Sequence, residues 1–292
     1  MSKIALVTDS TAYLPSEWAR QHGVHIVPLY VHFGERTFRD GVDLDTDIFY
    51  RLLESAPTLP TTSQPSAGNF LQLYRRLSQE ADSIISIHIS SGISGTVTSA
   101  LTARQALLSE MQDPPQIYVV DSRITSCGLV LLVSAATQAI AEGQTAAQVA
   151  QTIESLASRL LTVFVVDTLE YLFKGGRIGG AAALVGSILK IKPILYFRDG
   201  RIDVLEKART ARRAKQRMLE IVAERAEGRP IHAAIVHAQA LGEAQRIRHY
   251  LADHFDCREL SVVEFSPSIA THIGPGTVGV ALYAAEGGGL LP

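Results

Sequence analysis

From its first residues to its last strand the sequence repeats one device: a short β-branched run, then a longer stretch with apolar residues at helical spacing. That alternation is the strongest constraint on the fold. Parallel strands need crossover connections of a dozen or more residues, and helices usually supply them. Lys3–Asp9, Val24–Leu29, Ser83–Ile89 and Gln116–Asp121 read as strands of this kind. Between them, Asp45–Ser55 carries Ile48, Phe49, Leu52 and Leu53 on one helical face, and the stretch after Ser66 places Phe70, Leu73, Tyr74 and Leu77 inward. A further helix after Thr96 carries Val97, Leu101, Leu107 and Leu108, and two more are expected at Leu129–Ala141 and Thr145–Arg159. The second half differs. Lys192–Arg198 and Arg201–Lys207 flank Asp199-Gly200, a strong hairpin signal that no purely parallel sheet contains. The expected class is therefore α/β in two domains: a parallel-sheet N-terminal domain over 1–160 and a mixed α+β C-terminal domain over 161–292.

Composition excludes several functional classes. Hydrophobic residues make up 47% and charged residues 19% of the 292, which suits a large packed core and not a disordered chain. The formal charge of −2 leaves no electrostatic footprint for nucleic acid or an anionic membrane surface. No run reaches the roughly 18 apolar residues of a membrane span, so stable membrane insertion is not expected. The N-terminus enters a strand pattern without a signal-peptide core, which points to the cytoplasm. Cys127 and Cys257 stand far apart in apolar segments and read as free thiols; no metal-ligand spacing is present.

Candidate chemistry gathers in loops. In an open parallel sheet ligands bind beyond the carboxyl ends of the strands, where loops feed helix N-termini. Three loops are rich in small hydroxyl residues: Asp9-Ser10-Thr11, Thr61-Thr62-Ser63-Gln64-Pro65-Ser66, and Ser90-Ser91-Gly92-Ile93-Ser94-Gly95-Thr96. Hydroxyl donors beside unpaired helical N–H groups suit an anion, although ordinary capping uses the same residues. Ser94 is not a nucleophile elbow, because Gly95 follows it at once and no base is tied to it. Gly274-Pro275-Gly276-Thr277-Val278-Gly279 matches a dinucleotide fingerprint only in letters, since it leads into a β-branched run instead of a helix. No Walker-type phosphate loop exists, so the chain has no ATP site of its own and no cofactor is implied. His272 precedes those glycines in a loop where backbone can approach a ligand closely. Leu169–Gly179 mixes bulky apolar groups, Lys174, Arg177 and glycines, which suits a loop over a site that offers Arg177 to an oxyanion. The apolar Ala181–Leu189 segment that follows is either buried or borders something apolar.

Taken in order, Asp9-Ser10-Thr11, Thr62-Ser63-Gln64-Pro65-Ser66, Ser90–Thr96, Phe173-Lys174-Gly175-Gly176-Arg177-Ile178 and His272-Ile273-Gly274-Pro275-Gly276 resemble the DegV family. These are bacterial fatty-acid-binding proteins that serve as the FakB component of fatty acid kinase. The resemblance spans residues 9 to 276. It implies a two-domain DegV-like fold with a long-chain fatty acid buried inside, and a protein that is not an enzyme by itself but presents its ligand to an ATP-dependent kinase subunit for acyl phosphate formation in phospholipid metabolism. It further implies that Thr62 and Ser94 hold the carboxylate with His272 close by. Ser10, Ser63, Ser91, Gly95 and Gly274 would stand in ligand-adjacent loops, and Arg177 and Arg209 would face phosphoryl transfer or the partner. Two other readings compete. The related dihydroxyacetone kinase fold uses a histidine to capture a small ketone, which would make His272 the anchor of a small-substrate enzyme. A regulator acting through nucleic acid is disfavoured by the charge.

Overall fold

A computed structural model describes residues 3–187 and 191–285. The first half supplies seven strands, β1 (Ile4–Asp9), β2 (Val24–Val27), β3 (Tyr30–Phe33), β4 (Arg36–Arg39), β5 (Thr61–Ser63), β6 (Ser83–His88) and β7 (Gln116–Asp121). Four of them form a parallel sheet in the order β2-β1-β6-β7. The other three form a small antiparallel sheet, β4-β3-β5. The second half supplies β8 (Leu161–Val165), β9 (Lys192–Arg198), β10 (Arg201–Ala208), β11 (Ile231–His237), β12 (Cys257–Glu264) and β13 (Val278–Ala284). They make one six-stranded sheet, β10-β9-β8-β13-β11-β12, in which only β11 and β12 pair in parallel. The α/β class with a parallel first half and a mixed second half is the observed one.

The helices among the described residues are α1 (Ser16–Gln21), α2 (Thr46–Ser55), α3 (Ala67–Leu77), α4 (Thr96–Glu110), α5 (Cys127–Ala141), α6 (Ala146–Arg159), α7 (Glu170–Lys174), α8 (Ala211–Ala226), α9 (Leu241–His254) and α10 (Pro267–Ile273). Their starts follow capping chemistry. Asp45 accepts from the Ile48 N–H, and Ser66 with Asn69 and Thr145 with Gln148 form reciprocal capping boxes. α5 decides the architecture. Every residue from Cys127 to Val133 is buried, because one side packs on β1 and β6 and the other on β11 and β13. The sheets separate near residue 160, but one apolar cluster runs from Leu6 through Leu131 to Ala281. Gly128 lets the helix press against β8: a Cβ there would meet Ile124 Cδ1 at 2.6 Å and Thr162 Oγ1 at 2.9 Å.

Several local expectations are corrected. Thr61–Ser63 is a strand and not a loop, paired through Thr62 to Val31. The β3–β4 hairpin was not anticipated; its turn is Gly34-Glu35, with Gly34 at φ +58°. α4 buries Val97, Ala100, Ala103 and Leu107, and leaves Leu101 and Leu108 exposed, since small residues face the tight α3 contact. The glycine-rich segment contains a short helix, α7, and then a 3-10 helix over Gly179–Ser187 in which Ala181 and Leu184 are buried but Ala182 and Ala183 face outward. Leu189, the last residue of the predicted apolar segment, lies outside the described residues.

At the carboxyl end of β1 the buried Asp9 carboxylate gathers four donors: Thr11 N–H (3.1 Å), Thr11 Oγ1 (2.6 Å), Ile89 N–H (2.8 Å) and His88 Nδ1 (3.0 Å). His88 Nε2 continues to Ser86 Oγ (2.7 Å), to which the Tyr74 hydroxyl donates (2.8 Å). Asp9 is therefore a structural hub and not a free catalytic carboxylate. Leaving buried donors unpaired costs roughly 1–3 kcal/mol each. Asp9→Ala is expected to lower unfolding stability by about 3 kcal/mol or more, read from a shifted urea midpoint at unchanged slope. A midpoint equal to wild type would show that the hub holds nothing together.

Candidate functional site

A cavity with an open mouth lies between the carboxyl edge of the parallel sheet and the inner face of the six-stranded sheet. Its walls are apolar: Leu29, Ile89, Ile93, Phe164, Leu172, Phe197, Ile202, Val236, Phe265, Ile269 and Ile273. One polar cluster belongs to it, made of Thr62, Ser63, Gln64, Ser94, Arg177 and His272. A second is Thr125, Ser126 and Thr162, beside the thiol of Cys127. The proportions are those of a ligand site, mostly apolar with few convergent polar groups.

The first cluster is assembled from distant parts of the chain. Thr62 sits in the middle of β5, and its Oγ1 lies 2.7 Å from Nε2 of His272 in the last turn of α10. Gly175 closes over the imidazole so tightly that a Cβ there would collide with His272 Nδ1. The next glycine on the other side, Gly274 at φ +71°, would drive a Cβ into the Tyr171 ring. Arg177 donates from Nη1 to the Gly175 carbonyl (2.8 Å) and from Nε to the Ile93 carbonyl (3.3 Å), which ties the α7 segment to the Ser94 loop. Ser94 Oγ lies 2.8 Å from Thr96 Oγ1 and accepts from the Thr96 N–H (3.3 Å). Gly95 gives room to Gln64, whose Nε2 would stand 2.8 Å from any Cβ.

Burial, followed by the positive charge of Arg177, pulls the His272 pKa from 6.5 down to about 4. The ring is thus neutral near pH 7 and carries one N–H. Nδ1 is buried and has no hydrogen-bond partner among the described residues. A bare lone pair tolerates that better than an orphaned N–H, which favours the proton on Nε2, donated to Thr62. The Thr62 hydroxyl hydrogen is then free for a ligand. The site offers neutral hydroxyl donors backed by one guanidinium, a fit for one carboxylate.

The structure brings Thr62, Ser63, Ser94, Arg177 and His272 onto one cavity, with Gly95 and Gly274 shaping it. Ser63 also bonds His32 Nε2 (2.9 Å). It does not bring Ser10 or Ser91 to the lining. The Ser10 hydroxyl is used on Asp40 Oδ2 (2.8 Å) and on the Leu29 N–H (3.0 Å), and Ser91 bonds the Asp121 carboxylate through its N–H (3.1 Å) and its hydroxyl (2.5 Å). Arg209 is exposed after β10 and is not among the lining residues. Sequence reasoning missed Gln64 as a lining residue, the Thr125-Ser126-Thr162 group, and Arg201, which shares an adjoining cleft with Arg177 and Gly92. The signal for Thr125 and Ser126 was present, since Asp121-Ser122-Arg123-Ile124-Thr125-Ser126 leaves β7 as the other hydroxyl loops leave their strands. Among the described residues no group of three or more His, Cys, Asp or Glu side chains is placed to hold a metal, and no helix is long and apolar enough to cross a membrane.

A family model described as uncharacterised protein, DegV family, matches residues 3–285. The chain belongs to the DegV family. A DegV domain-containing protein of Halalkalibacterium halodurans is 40% identical over 285 residues, covering 97% of this chain and 99% of the relative. Protein DegV of Bacillus subtilis is 39% identical over 279 residues, covering 95% and 98%. Among solved structures, a fatty-acid-binding DegV family protein from Thermus thermophilus superposes with a TM-score of 0.89 at 36% identity, over 97% of this chain and 100% of the other. DegV of Bacillus subtilis, described as a fatty acid binding protein, gives 0.89 at 37%, over 98% and 100%. A stearic-acid-binding protein from Eubacterium ventriosum gives 0.87 at 26%, over 97% and 98%.

The depressed basicity of His272 makes a direct prediction for this DegV chain. Followed by NMR in ligand-free protein, the His272 ring should stay neutral down to pH 5 and titrate near pH 4. A midpoint near the ordinary 6.5 would show that the imidazole is not buried beside Arg177. The linkage sign is definite: between pH 6.5 and about 4 the unfolded chain binds the extra proton, so this group's contribution to stability is lost as pH falls through that window.

Proposed function

We propose that the protein binds one long-chain fatty acid, head group at Thr62, Ser94 and His272 and acyl chain along the apolar cavity, and presents the carboxylate to an ATP-dependent kinase subunit in the cytoplasm for acyl phosphate formation. The observation that carries the reading is an apolar cavity whose polar mouth holds hydroxyls and a neutral imidazole. Burial of an acyl chain contributes about 0.8 kcal/mol per CH₂, so the walls supply affinity and the polar cluster supplies orientation. The solved relatives described as fatty acid binding support the same ligand class. A small polar substrate held by His272 is disfavoured, because it would leave the apolar walls unmatched.

Presentation rests on the cleft next to the head-group cluster. Arg177 and Arg201 line it together with Gly92, Ile93, Gly176 and Gly179. Two guanidiniums over glycines leave room for a transferring phosphoryl group brought by the partner, since Arg matches phosphate oxygens bidentately. Arg209 belongs to the same proposed partner side. The chain itself contributes positioning and electrostatics; nucleotide and metal come with the partner.

Mass spectrometry of small molecules released on denaturation should find a fatty acid at near one equivalent, and delipidated protein should take up added stearate or oleate. Thr62→Val and Ser94→Ala are each expected to weaken uptake about tenfold or more, as loss of a hydrogen bond to a charged group costs about 1.5–3 kcal/mol. Empty protein that refuses added fatty acid would sink the proposal. Arg201→Ala should lower the rate of acyl phosphate formation with an added fatty acid kinase subunit far more than it lowers fatty acid affinity. An unchanged rate would remove the cleft from the mechanism.

A further inference from the structure

Hydroxyls lining the mouth of the cavity all have partners: Thr62 has His272, Ser63 has His32 and Ser94 has Thr96. Elsewhere Thr271 and Thr277 reach back to carbonyls of their own chain segment, while Tyr50 and Ser261, which do not line the cavity, have no partner among the described residues. On the cavity wall itself, Thr125, Ser126 and Thr162 are unpaired. They are only 6%, 3% and 6% exposed, they line the cavity, and none of their hydroxyl oxygens has a hydrogen-bond partner among the described residues. Leaving such groups unpaired costs roughly 1–3 kcal/mol each, and apolar residues of similar shape would avoid that cost. Three together on one wall therefore mark a place where a polar ligand group is received.

The backbone supports the same reading. Ser126 takes φ +53°, a conformation that serine adopts at a steric cost, and from there it opens α5 without its side chain capping the helix. Its hydroxyl is thus turned away from the ordinary capping role. The fifteen-residue α5 brings the positive end of its dipole to this wall, which favours an oxygen with lone pairs. Thr162 faces the cavity from the start of β8, two residues before Phe164 on the same face. The chain runs on from there through Asp167, which packs on Gly276, towards the α7 segment that carries Arg177.

We propose that the cavity selects a long-chain fatty acid that carries one hydroxyl group on its chain, with Thr125, Ser126 and Thr162 as the partners of that hydroxyl. The inference rests on the fatty acid reading and narrows its substrate class. A hydroxyl both donates and accepts, as the three protein hydroxyls do, so each can be satisfied in one network. A saturated chain of the same length would bury the three groups against methylenes and forfeit those bonds.

The test is competition binding to delipidated full-length protein with stearate, 10-hydroxystearate and 12-hydroxystearate, and with palmitate against 16-hydroxypalmitate. At least one hydroxylated acid should bind about tenfold more tightly than its unsubstituted parent, and the preference should depend on the position of the hydroxyl. In Thr162→Val and, separately, Thr125→Val, the ratio of affinities should fall towards one in variants whose thermal unfolding stays cooperative. The use of two variants guards against one that does not fold. The proposal is overturned if every hydroxylated acid binds equally with or more weakly than its parent, or if the preference survives in both variants. Stearate bound with no such preference would overturn this inference and leave the fatty acid reading standing. Failure of all five acids to bind would overturn both.

Discussion

The geometry of the site depends on where the loop after β6 begins, and the Asp9 carboxylate sets that point. By holding the Ile89 N–H and the His88 ring, it fastens the end of β6 to the end of β1. From there the chain has little freedom. Ser90 donates to the Gly200 carbonyl (2.6 Å), and Gly92 lies so close to the same carbonyl that no side chain would fit. The hairpin of the six-stranded sheet is thereby latched to the loop of the parallel sheet. Ser94 and Gly95 occupy the next turn, within reach of Gln64 and, through Ile93, of Arg177. One buried carboxylate, four donors deep, propagates its position to a head-group site built by both halves of the chain. Because Asp9 is fully buried, solvent screens this network little.

A cavity survives between the two sheets because α5 props them apart along only part of their facing surfaces. Its first turns fill the space under β1 and β6 and against β11 and β13. Where the helix begins, at Ser126 and Cys127, the filling stops and the cavity starts. Aromatic rings then line the gap without closing it: Phe164 and Phe197 lie 6.2 Å apart on neighbouring strands. Side chains that converge on such a gap have fewer protein dispersion contacts on that side, so the surrounding sheets and the helix set its width. Glycines at 175 and 274 do the opposite work at the mouth, admitting the His272 ring and the Tyr171 ring to positions that any Cβ would block.

Much of this was legible in the sequence, and the reasons for the rest are physical. The parallel half was readable because its central strands are buried on both faces, as at Ser83–His88, where all six residues are buried. The Asp199-Gly200 hairpin was readable from its turn chemistry. β3, β4 and β5 were not: they are strands of three or four residues in a small separate sheet, and Thr61-Thr62-Ser63 shows no apolar alternation because its side chains face the cavity mouth and solvent. Thr62, Ser63, Ser94, Arg177 and His272 were singled out and converge, since loops at the carboxyl ends of strands meet in this class of fold. Ser10 obeyed the same rule and yet turned away, because Asp40 claimed its hydroxyl. Asp40 is buried and its pKa rises to about 6, chiefly through desolvation, with Ser268 and Ser10 bonded to it. A partner thirty residues away cannot be inferred from spacing. Thr162 escaped notice for a related reason, as a single hydroxyl inside an apolar strand normally means nothing.

The electrostatic design of the head-group cluster follows from which groups are charged. Among the described residues that line the cavity Arg177 is the only Lys or Arg, and it is already committed to the carbonyls of Gly175 and Ile93. Burial first, and then its field, keep His272 unprotonated, so the imidazole adds no second positive charge beside the guanidinium. Under the proposed reading, a carboxylate here would gain orientation from Thr62 and Ser94 and partial compensation from a guanidinium already bonded to two carbonyls. Full salt-bridge pairing would lower the nucleophilicity of the carboxylate oxygens and oppose their attack on a phosphoryl group. Neutral donors fix the same oxygens and leave their lone pairs available. The same neutrality explains why the apolar walls, and not the head group, must carry the affinity. In the proposed reading the mouth would orient the ligand, and the buried hydroxyls of Thr125, Ser126 and Thr162 would decide which acyl chain it is.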